Sequence, residues 1–406
     1  MKKFNGKLLS LLLTVALIMG MSGCGITNEV SDNDVSNVTT ENVTEETTTE
    51  EPTTPPFQPT TINIKMVGDM LMHTGVSDSG LMEDGTYNYD HLFTHVKEDI
   101  QSADIAIVNQ EVILGGTELG ISGYPTFNAA YEVGDALVNA GFNVVLHATN
   151  HTIDKGATGV DNCINYWKTN HPEIGVLGIN QTAEDVNNIY VYEQGDIKVA
   201  ILNYTYGTNG IALPTGREYI VNLLDEERIV NDLKKANELA DFVIVCPHWG
   251  PEYKHEPWNE PGSIYDQVGW AQLMADNGAD LIIGAHPHVI QPVEWIEGAN
   301  GNKTLCYWSL GNFVSNQDKA PRMVGAMADI TIENNEAGQV YIKDYGVIPL
   351  VTQKLFGRGA ITTYKLSDYT EELASQNGIL RNDAAFSLQY CKDLCRQVFG
   401  DLYKEQ

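Results

Sequence analysis

Two histidines separated by one residue follow a short apolar run in the second half of the chain. His286 and His288 follow the run at 280–283 after Gly284 and Ala285. A run without polar alternation is typical of a strand buried on both faces, and open α/β sheets place their sites beyond the carboxyl ends of such strands. Pro287 favours an extended His286, which would point both imidazoles the same way. We therefore predict that the pair holds a ligand, although a loop with two histidines fits the same short pattern.

Four other apolar runs are followed by side chains that could complete such a site. These side chains are carboxylates, an amide and further histidines, namely Asp69, Glu111, Asn150 with His151, and His248. Because parallel strands deliver their carboxyl ends to one edge of a sheet, we expect these groups to converge. Carboxylate and amide oxygens together with imidazole nitrogens suit manganese, iron or zinc better than calcium. The predicted ligands of one or two divalent ions are Asp69, Glu111, Asn150, His248, His286 and His288.

The ligand set also predicts a chemistry. Two ions about 3.5–4 Å apart, bridged by a carboxylate such as Glu111, can hold a phosphoryl group and lower the pKa of a bound water. His151 is predicted to donate a proton to the leaving oxygen or to hold that oxygen, rather than to bind metal, because it follows a ligating asparagine in a turn. Five further residues are predicted to support the ligands: His73, Asn109, Asp154, Ser309 and Asn312.

Each of these residues has a plainer interpretation when it is considered alone. Asp69 could cap a helix, Glu111 could be an exposed strand end, and His248 could be a packed core histidine. Asn150 and His151 could simply be turn residues. Five strand ends with the same kinds of side chain favour the site over five separate coincidences.

The elements that would position these residues begin at Ile62. Apolar strand-like runs alternate there with helical patterns, which predicts a largely parallel sheet with crossover helices. Helices are predicted at 131–140, 159–170, 225–239 and 264–277. An antiparallel hairpin is predicted at 189–192 and 197–204, with further strands at 305–313, 327–332 and 339–348. The predicted fold is α/β, with either one mixed sheet or a pair of stacked sheets inside the helices.

Charge and composition limit the partners. The chain has 406 residues and a formal net charge of −30. Nucleic acid and anionic membrane surfaces would be repelled by this charge, whereas divalent cations would be attracted. The cysteines beyond residue 24 are odd in number and have no paired spacing, so no disulfide is predicted.

The first 61 residues are predicted to be a targeting segment and a tether. Residues 1–23 combine a basic start with an apolar stretch, and residues 21–24 resemble a lipobox, so we predict a lipoprotein signal peptide with Cys24 as the lipidated residue. An ordinary cleaved signal is the alternative. Residues 24–61 are rich in Thr, Glu and Pro and lack Lys and Arg, which predicts a disordered acidic tether. The expected location is extracytoplasmic, with a lipid anchor in the bacterial cell membrane.

Taken as a set, the motifs resemble the capsule synthesis protein CapA family, a poly-γ-glutamate capsule group in the metallophosphatase-like superfamily. The matching segments are 68–69, 109–111, 150–156, 248–253, 284–291 and 309–313. The resemblance spans about residues 62–350. It implies a four-layer αββα sandwich with a dinuclear metal site at the strand ends, and a membrane-attached role in capsule synthesis. Residues 351–406 lie outside it and are predicted to be a C-terminal helical extension. Ala285 stands where some relatives carry another histidine. The number of bound ions, one or two, is therefore left open.

Three functions fit this resemblance. The first is a surface-anchored protein of poly-γ-glutamate capsule synthesis or export, with membrane subunits of a capsule synthase as partners. The second is a metal-dependent hydrolase that acts on an envelope phosphoester or amide. The third is a non-catalytic module that binds wall polymer, which the negative charge disfavours unless metal ions bridge to the polyanion.

Overall fold

The computed structural model of the protein describes residues 57–355 and 360–405. The predicted signal peptide, the predicted lipidation site Cys24 and residues 24–56 of the predicted tether lie outside the described residues. Among the helices of the described ranges, none combines the length and the apolar character that crossing a membrane requires.

The described chain alternates strands and helices through most of its length. The strands are β1 (Thr61–Met70), β2 (Ile105–Asn109), β3 (Val144–Leu146), β4 (Gly175–Leu177), β5 (Tyr190–Gln194), β6 (Ile197–Thr205), β7 (Phe242–His248), β8 (Leu281–Ile283), β9 (Val293–Glu297), β10 (Lys303–Tyr307), β11 (Asn312–Val314), β12 (Val324–Asn334), β13 (Val340–Lys354) and β14 (Ile361–Lys365). The α-helices are α1 (Thr74–Ser79), α2 (Lys97–Gln101), α3 (Glu132–Ala140), α4 (Gly156–Asn170), α5 (Glu226–Leu239), α6 (Gln267–Asp276), α7 (Glu371–Gln376) and α8 (Leu388–Phe399).

The strands form two sheets. The first sheet has the order β14-β13-β12-β1-β2-β3-β4, with β11 paired to β1 beside this path. In it β1 to β4 are parallel, and β12, β13 and β14 are antiparallel to their neighbours. The second sheet has the order β5-β6-β7-β8-β10-β9, with a parallel centre and antiparallel edges. Both sheets are therefore mixed.

Apolar side chains join the two sheets and the helices into four layers. Ile64 and Ile107 of the first sheet meet Ile201 and Ile244 of the second in a central core. Helices α3 and α4 bury their apolar faces on the outer side of the first sheet, and α5 and α6 do so on the second. This αββα arrangement confirms the predicted fold class.

The helices begin and end close to their predicted positions. Asp225, the first residue of the helix predicted at 225–239, caps α5 by accepting a hydrogen bond from the backbone of Arg228. Gly141 ends α3 in the left-handed conformation that favours glycine.

Two details of the predicted strand order differ in the structure. The five site-bearing strands are not all neighbours, because β1, β2 and β3 lie in the first sheet and β7 and β8 in the second. The hairpin of β5 and β6 begins the second sheet, and β7 pairs in parallel with β6 in that sheet. The predicted strand at 305–313 is two strands, since the chain leaves β10 in the second sheet and enters β11 in the first. The site therefore lies where the carboxyl ends of two sheets meet.

The segment after residue 350 is also less helical than predicted. β13 runs to Lys354, and β14 forms the edge of the first sheet. Helices α7 and α8 follow, and α8 buries Cys391, Leu394 and Cys395 against the central core. In place of a wholly helical extension, the C-terminal segment completes the first sheet before it covers part of the core.

Candidate metal centre

Asp69 lies at the end of β1, where the chain of β11 passes unusually close. Glycine is required at position 68, because a Cβ there would lie 1.9 Å from the carbonyl oxygen of Gly311. The backbone N–H of Asp69 donates to that same oxygen over 2.9 Å. Asn109, the last residue of β2, donates from Nδ2 to Oδ1 of Asp69 over 2.9 Å. The contact between β1 and β11 thus fixes one buried carboxylate at the rim.

The loop that carries His286 and His288 has a different backbone from the predicted one. Their φ angles are 99° and 58°, so neither residue is extended. The N–H of His286 lies 3.2 and 3.3 Å from the carboxylate oxygens of Asp69, and the carbonyl of Pro287 accepts from the N–H of Tyr253 over 2.8 Å. Left-handed non-glycine residues cost roughly 1–3 kcal/mol each and persist where their surroundings impose them. Tertiary contacts therefore override the extended conformation that Pro287 favours.

The imidazole rings face one another across the junction of the two sheets. Nε2 of His248 lies 2.8 Å from Oδ1 of Asn150 and 3.1 Å from Nδ1 of His286. On the other side, Nδ1 of His288 lies 3.0 Å from Oδ2 of Asp69. All five side chains are buried. The structure thus brings the predicted nitrogen and oxygen ligands together.

Glu111 lies between two groups of candidate ligands. Its Oε1 is 3.9 Å from Nε2 of His248 and 3.7 Å from Nε2 of His288. The ligand atoms of each group lie within 4.8 Å of one another, and the groups are Glu111 with His248 and His286, and Asp69 with Glu111 and His288. Both carboxylate oxygens of Glu111 are buried and have no hydrogen-bond partner among the described residues. Because a buried carboxylate without a hydrogen bond is costly and a cation would satisfy it, these residues fit a divalent metal.

His151 lies beside these two groups and belongs to neither. Its Nδ1 is 2.7 Å from Oδ2 of Asp154, which also accepts the backbone N–H of Phe127 over 2.7 Å. The Phe127 ring packs edge-on against the imidazole with the ring centroids 4.6 Å apart. Asp154 therefore holds the imidazole through Nδ1.

The other predicted supporting residues make different contacts. Asn312 places Oδ1 3.0 Å from Nδ1 of His288. Ser309 donates its hydroxyl to the carbonyl of Val289 over 2.9 Å, so it braces the loop that follows His288. His73 has a buried Nδ1 without a hydrogen-bond partner in the described ranges.

Burial and neighbouring charges set the protonation states of the site. Burial raises the pKa of Glu111 well above its usual range. Burial alone would lower the pKa of His288, but the carboxylates of Glu111 and Asp69 raise it to about 9. Burial and the other imidazoles hold the pKa values of His248 and His286 well below their usual range. The neighbouring carboxylates therefore favour the protonated form of His288, whereas burial favours the neutral forms of His248 and His286.

Metal binding is expected to release a proton from His288. Since a metal takes only the neutral imidazole of His288 and only the ionised carboxylate of Glu111, the apparent affinity should rise at least about tenfold per pH unit from pH 7 to about 9. Calorimetric titration with Mn²⁺ in buffers of different ionisation enthalpy measures the proton released. A binding heat that is the same in all buffers would contradict the assignment, and the remote variant His171→Ala should release the same proton as the parent protein.

Two residues in the loop after β6 contact the candidate site and were not predicted from the sequence. The Tyr206 ring lies 4.6 Å from the ring of His286. Asn209, with a φ of 53°, accepts from Nδ2 of Asn150 over 3.2 Å and lies 3.5 Å from both ring nitrogens of His151. Asn209 precedes a glycine, and this pair of residues indicates a turn. A turn signal does not say where in the fold the turn lies, so it could not have found the contact.

Two mixed sheets between helical layers, with carboxylates, an amide and imidazoles at the strand ends, define an α/β sandwich with a candidate metal centre. A family model described as "Bacterial capsule synthesis protein PGA_cap" matches residues 63–317. The chain belongs to this family, which confirms the resemblance of its motifs. The matched range contains all the predicted ligands and supporting residues.

Two relatives and one solved structure illustrate what this chain is similar to. The chain is 28% identical over 282 residues to "Capsule biosynthesis protein CapA" of Bacillus anthracis, across 68% of this chain and 64% of that protein. It is 27% identical to "PGA biosynthesis protein CapA" of Bacillus subtilis, across 50% of each chain. The matches thus span less than two thirds of either relative. Among solved structures, Haemophilus influenzae NAD nucleotidase is similar with 12% identity and a TM-score of 0.46, across 86% of this chain and 65% of that chain.

Proposed function

We propose that this protein acts in the synthesis or export of a polyglutamate capsule and holds one or two divalent ions, manganese, iron or zinc, at the rim of the two sheets. Family membership and the two CapA relatives support the capsule role. The observation that carries the metal site is Glu111, which belongs to both candidate groups and whose two buried oxygens have no hydrogen-bond partner among the described residues. A polyanionic polymer or a small phosphorylated molecule would be the substrate or cargo.

The proposed location is the outer side of the bacterial cell membrane. A lipid on Cys24 would anchor the protein there, and the acidic segment up to residue 61 would hold the domain away from the membrane. Membrane subunits of a capsule synthase would be its partners. The net charge of −30 gives no attraction to nucleic acid.

A second candidate function is hydrolysis of an envelope phosphoester or amide. The pairing of His151 with Asp154 beside the ligand groups favours it, because a positioned imidazole is the usual proton donor to a leaving oxygen. A bound divalent ion would supply charge stabilisation and an activated water. The chain itself supplies Asp154 to orient the imidazole, Nε2 of His151 to give up the proton and Asn209 to limit the ring's movement.

Metal analysis with an activity assay tests both functions. We expect the purified protein to hold one or two ions per chain, and we would assay generic phosphomonoesters and phosphodiesters in added Mn²⁺. Stoichiometric metal without turnover would favour the capsule role without hydrolysis. Turnover that is lost in His288→Gln and kept in His171→Ala would favour the hydrolase. Failure to bind metal under all conditions would overturn the metal-based proposals and leave the polymer-binding module.

A further inference from the structure

An arginine stands beside the metal centre on an aromatic support. The guanidinium carbon of Arg322 lies 3.6 Å from the centroid of the Tyr253 ring, and that ring lies 5.9 Å from the ring of His288. The guanidinium is therefore within about 10 Å of His288, a distance that about three residues of an extended chain can span. Arginine stacks on an aromatic face in this way while its N–H groups stay free to bind in the plane of the guanidinium.

Tyr253, on which Arg322 stacks, is hydrogen-bonded to the loop that carries His286 and His288. Tyr253 has a φ of 65° and donates its N–H to the carbonyl of Pro287 over 2.8 Å. The backbone carbonyl of Arg322 accepts from Nδ2 of Asn312 over 3.0 Å, and Oδ1 of Asn312 lies 3.0 Å from Nδ1 of His288. The arginine is thus held in a fixed position relative to the candidate ligands, and the bonds that hold its backbone do not use its side chain.

Among the described residues, one side-chain donor of Arg322 is used, in an ion pair with Asp318 that is 3.3 Å long. The Arg322 side chain is 20% exposed and the Asp318 side chain 59% exposed. A long pair with one partner largely in solvent holds the guanidinium only weakly. Lys354 is a second cation close to Asn312. Its Nζ donates to the carbonyl of Gln317 over 2.6 Å, and the side chain of Gln317 accepts from Nδ2 of Asn312. These two cations lie beside the site together with the carboxylates of Asp318 and Glu252.

We propose that Arg322, stacked on Tyr253, is a specificity-determining residue that binds a second oxyanion of the substrate while the first anionic group lies at the metal rim. The inference rests on the proposed function and deepens it. It assigns to the site a substrate with repeated or paired oxyanions, either carboxylates or phosphates. The planar N–H fork of arginine matches both kinds of oxyanion, and a neutral group would leave it unpaired.

Calorimetry with defined probes tests this proposal. The probes are a γ-linked glutamate tetramer, the same tetramer with its side carboxyls amidated, and inorganic tripolyphosphate, each added to metal-free and Mn²⁺-loaded full-length protein. We expect at least one anionic probe to bind more tightly than the amidated tetramer. Arg322→Ala should weaken that binding roughly 10–100-fold, and Arg322→Lys should weaken it less, because a charge without the fork remains. The probe that loses affinity tells whether carboxylate or phosphate is the natural group.

The controls separate this inference from the metal proposal. Arg396→Ala removes an exposed arginine on α8 that pairs with Asp393 and Glu405, and it should leave probe binding unchanged. Metal content should stay at the parent value in Arg322→Ala, because its backbone bond to Asn312 remains. Parent protein that binds no metal but still shows Arg322-dependent probe binding would overturn the metal proposal alone. Equal binding by Arg322→Ala and the parent protein, or no binding of either anionic probe, would overturn the role of Arg322.

Discussion

Replacing Glu111 with glutamine is expected to abolish metal-dependent stabilisation while it makes the metal-free protein more stable. Glu111 belongs to both ligand groups, so the change removes a ligand from each. Loss of a residue that merely supports a ligand typically weakens metal binding about 10–100-fold, and loss of a shared ligand should exceed that. At a free metal concentration 100 times the parent Kd, the stabilisation should fall from about 2.7 kcal/mol to less than about 0.4 kcal/mol.

The opposite effect on the metal-free protein follows from the same carboxylate. Burial raises the pKa of Glu111, so the folded chain binds this proton more tightly than the unfolded chain does. The free energy of unfolding without metal must therefore decrease as the pH rises above the usual pKa of a glutamate. Glutamine carries no charge and should restore about 1–3 kcal/mol at pH 7.

Thermal and urea unfolding with chelator or with Mn²⁺ measures both effects of Glu111→Gln. Glu336→Gln changes an exposed glutamate in a turn and should alter neither curve. A variant of Glu111 that is less stable without metal, or that keeps the stabilisation by metal, would show that Glu111 serves the fold rather than an ion.

The residues of the candidate site were easier to predict from the sequence than the order and connection of the strands that carry them. Strand ends rich in Asp, Glu, Asn and His indicate candidate ligands because residue type and position after a buried run are local properties. Membership of a given sheet is not local. The division of these strands between two sheets depends on the hairpin of β5 and β6 and on the crossing from β10 to β11, which are decided by pairing over long distances in the chain.

The loop at His286 shows the same limit on a smaller scale. Pro287 makes an extended neighbour the local preference, yet the Asp69 carboxylate and the N–H of Tyr253 hold the loop in another conformation. The stacking of Arg322 on Tyr253 had no signal in the sequence either, since the two residues are far apart in the chain. Candidate metal ligands can be recognised in the sequence, whereas the residues that orient them through tertiary contacts cannot.

Replacing His151 with alanine is expected to reduce any phosphoester turnover by about 10²–10⁴-fold and to leave metal content unchanged. The imidazole lies outside both ligand groups, so its removal takes no ligand from an ion. Its Nδ1 is engaged by Asp154 at 2.7 Å, which leaves Nε2 as the nitrogen that can give a proton to a leaving oxygen. The loss should therefore appear in kcat, because the proton is transferred in the transition state and not in the bound substrate.

Two further variants show whether His151 acts through this proton. Asp154→Asn keeps the shape of the contact but weakens its hold on the Nδ1 proton, so it should lower kcat less than His151→Ala and should also leave metal content intact. A substrate with a more acidic leaving alcohol needs less protonation, and the deficit of His151→Ala should shrink with it. Loss of metal in His151→Ala, or an equal deficit for good and poor leaving groups, would sink the proton-donor role, because both results are what a ligand or a packing residue would give.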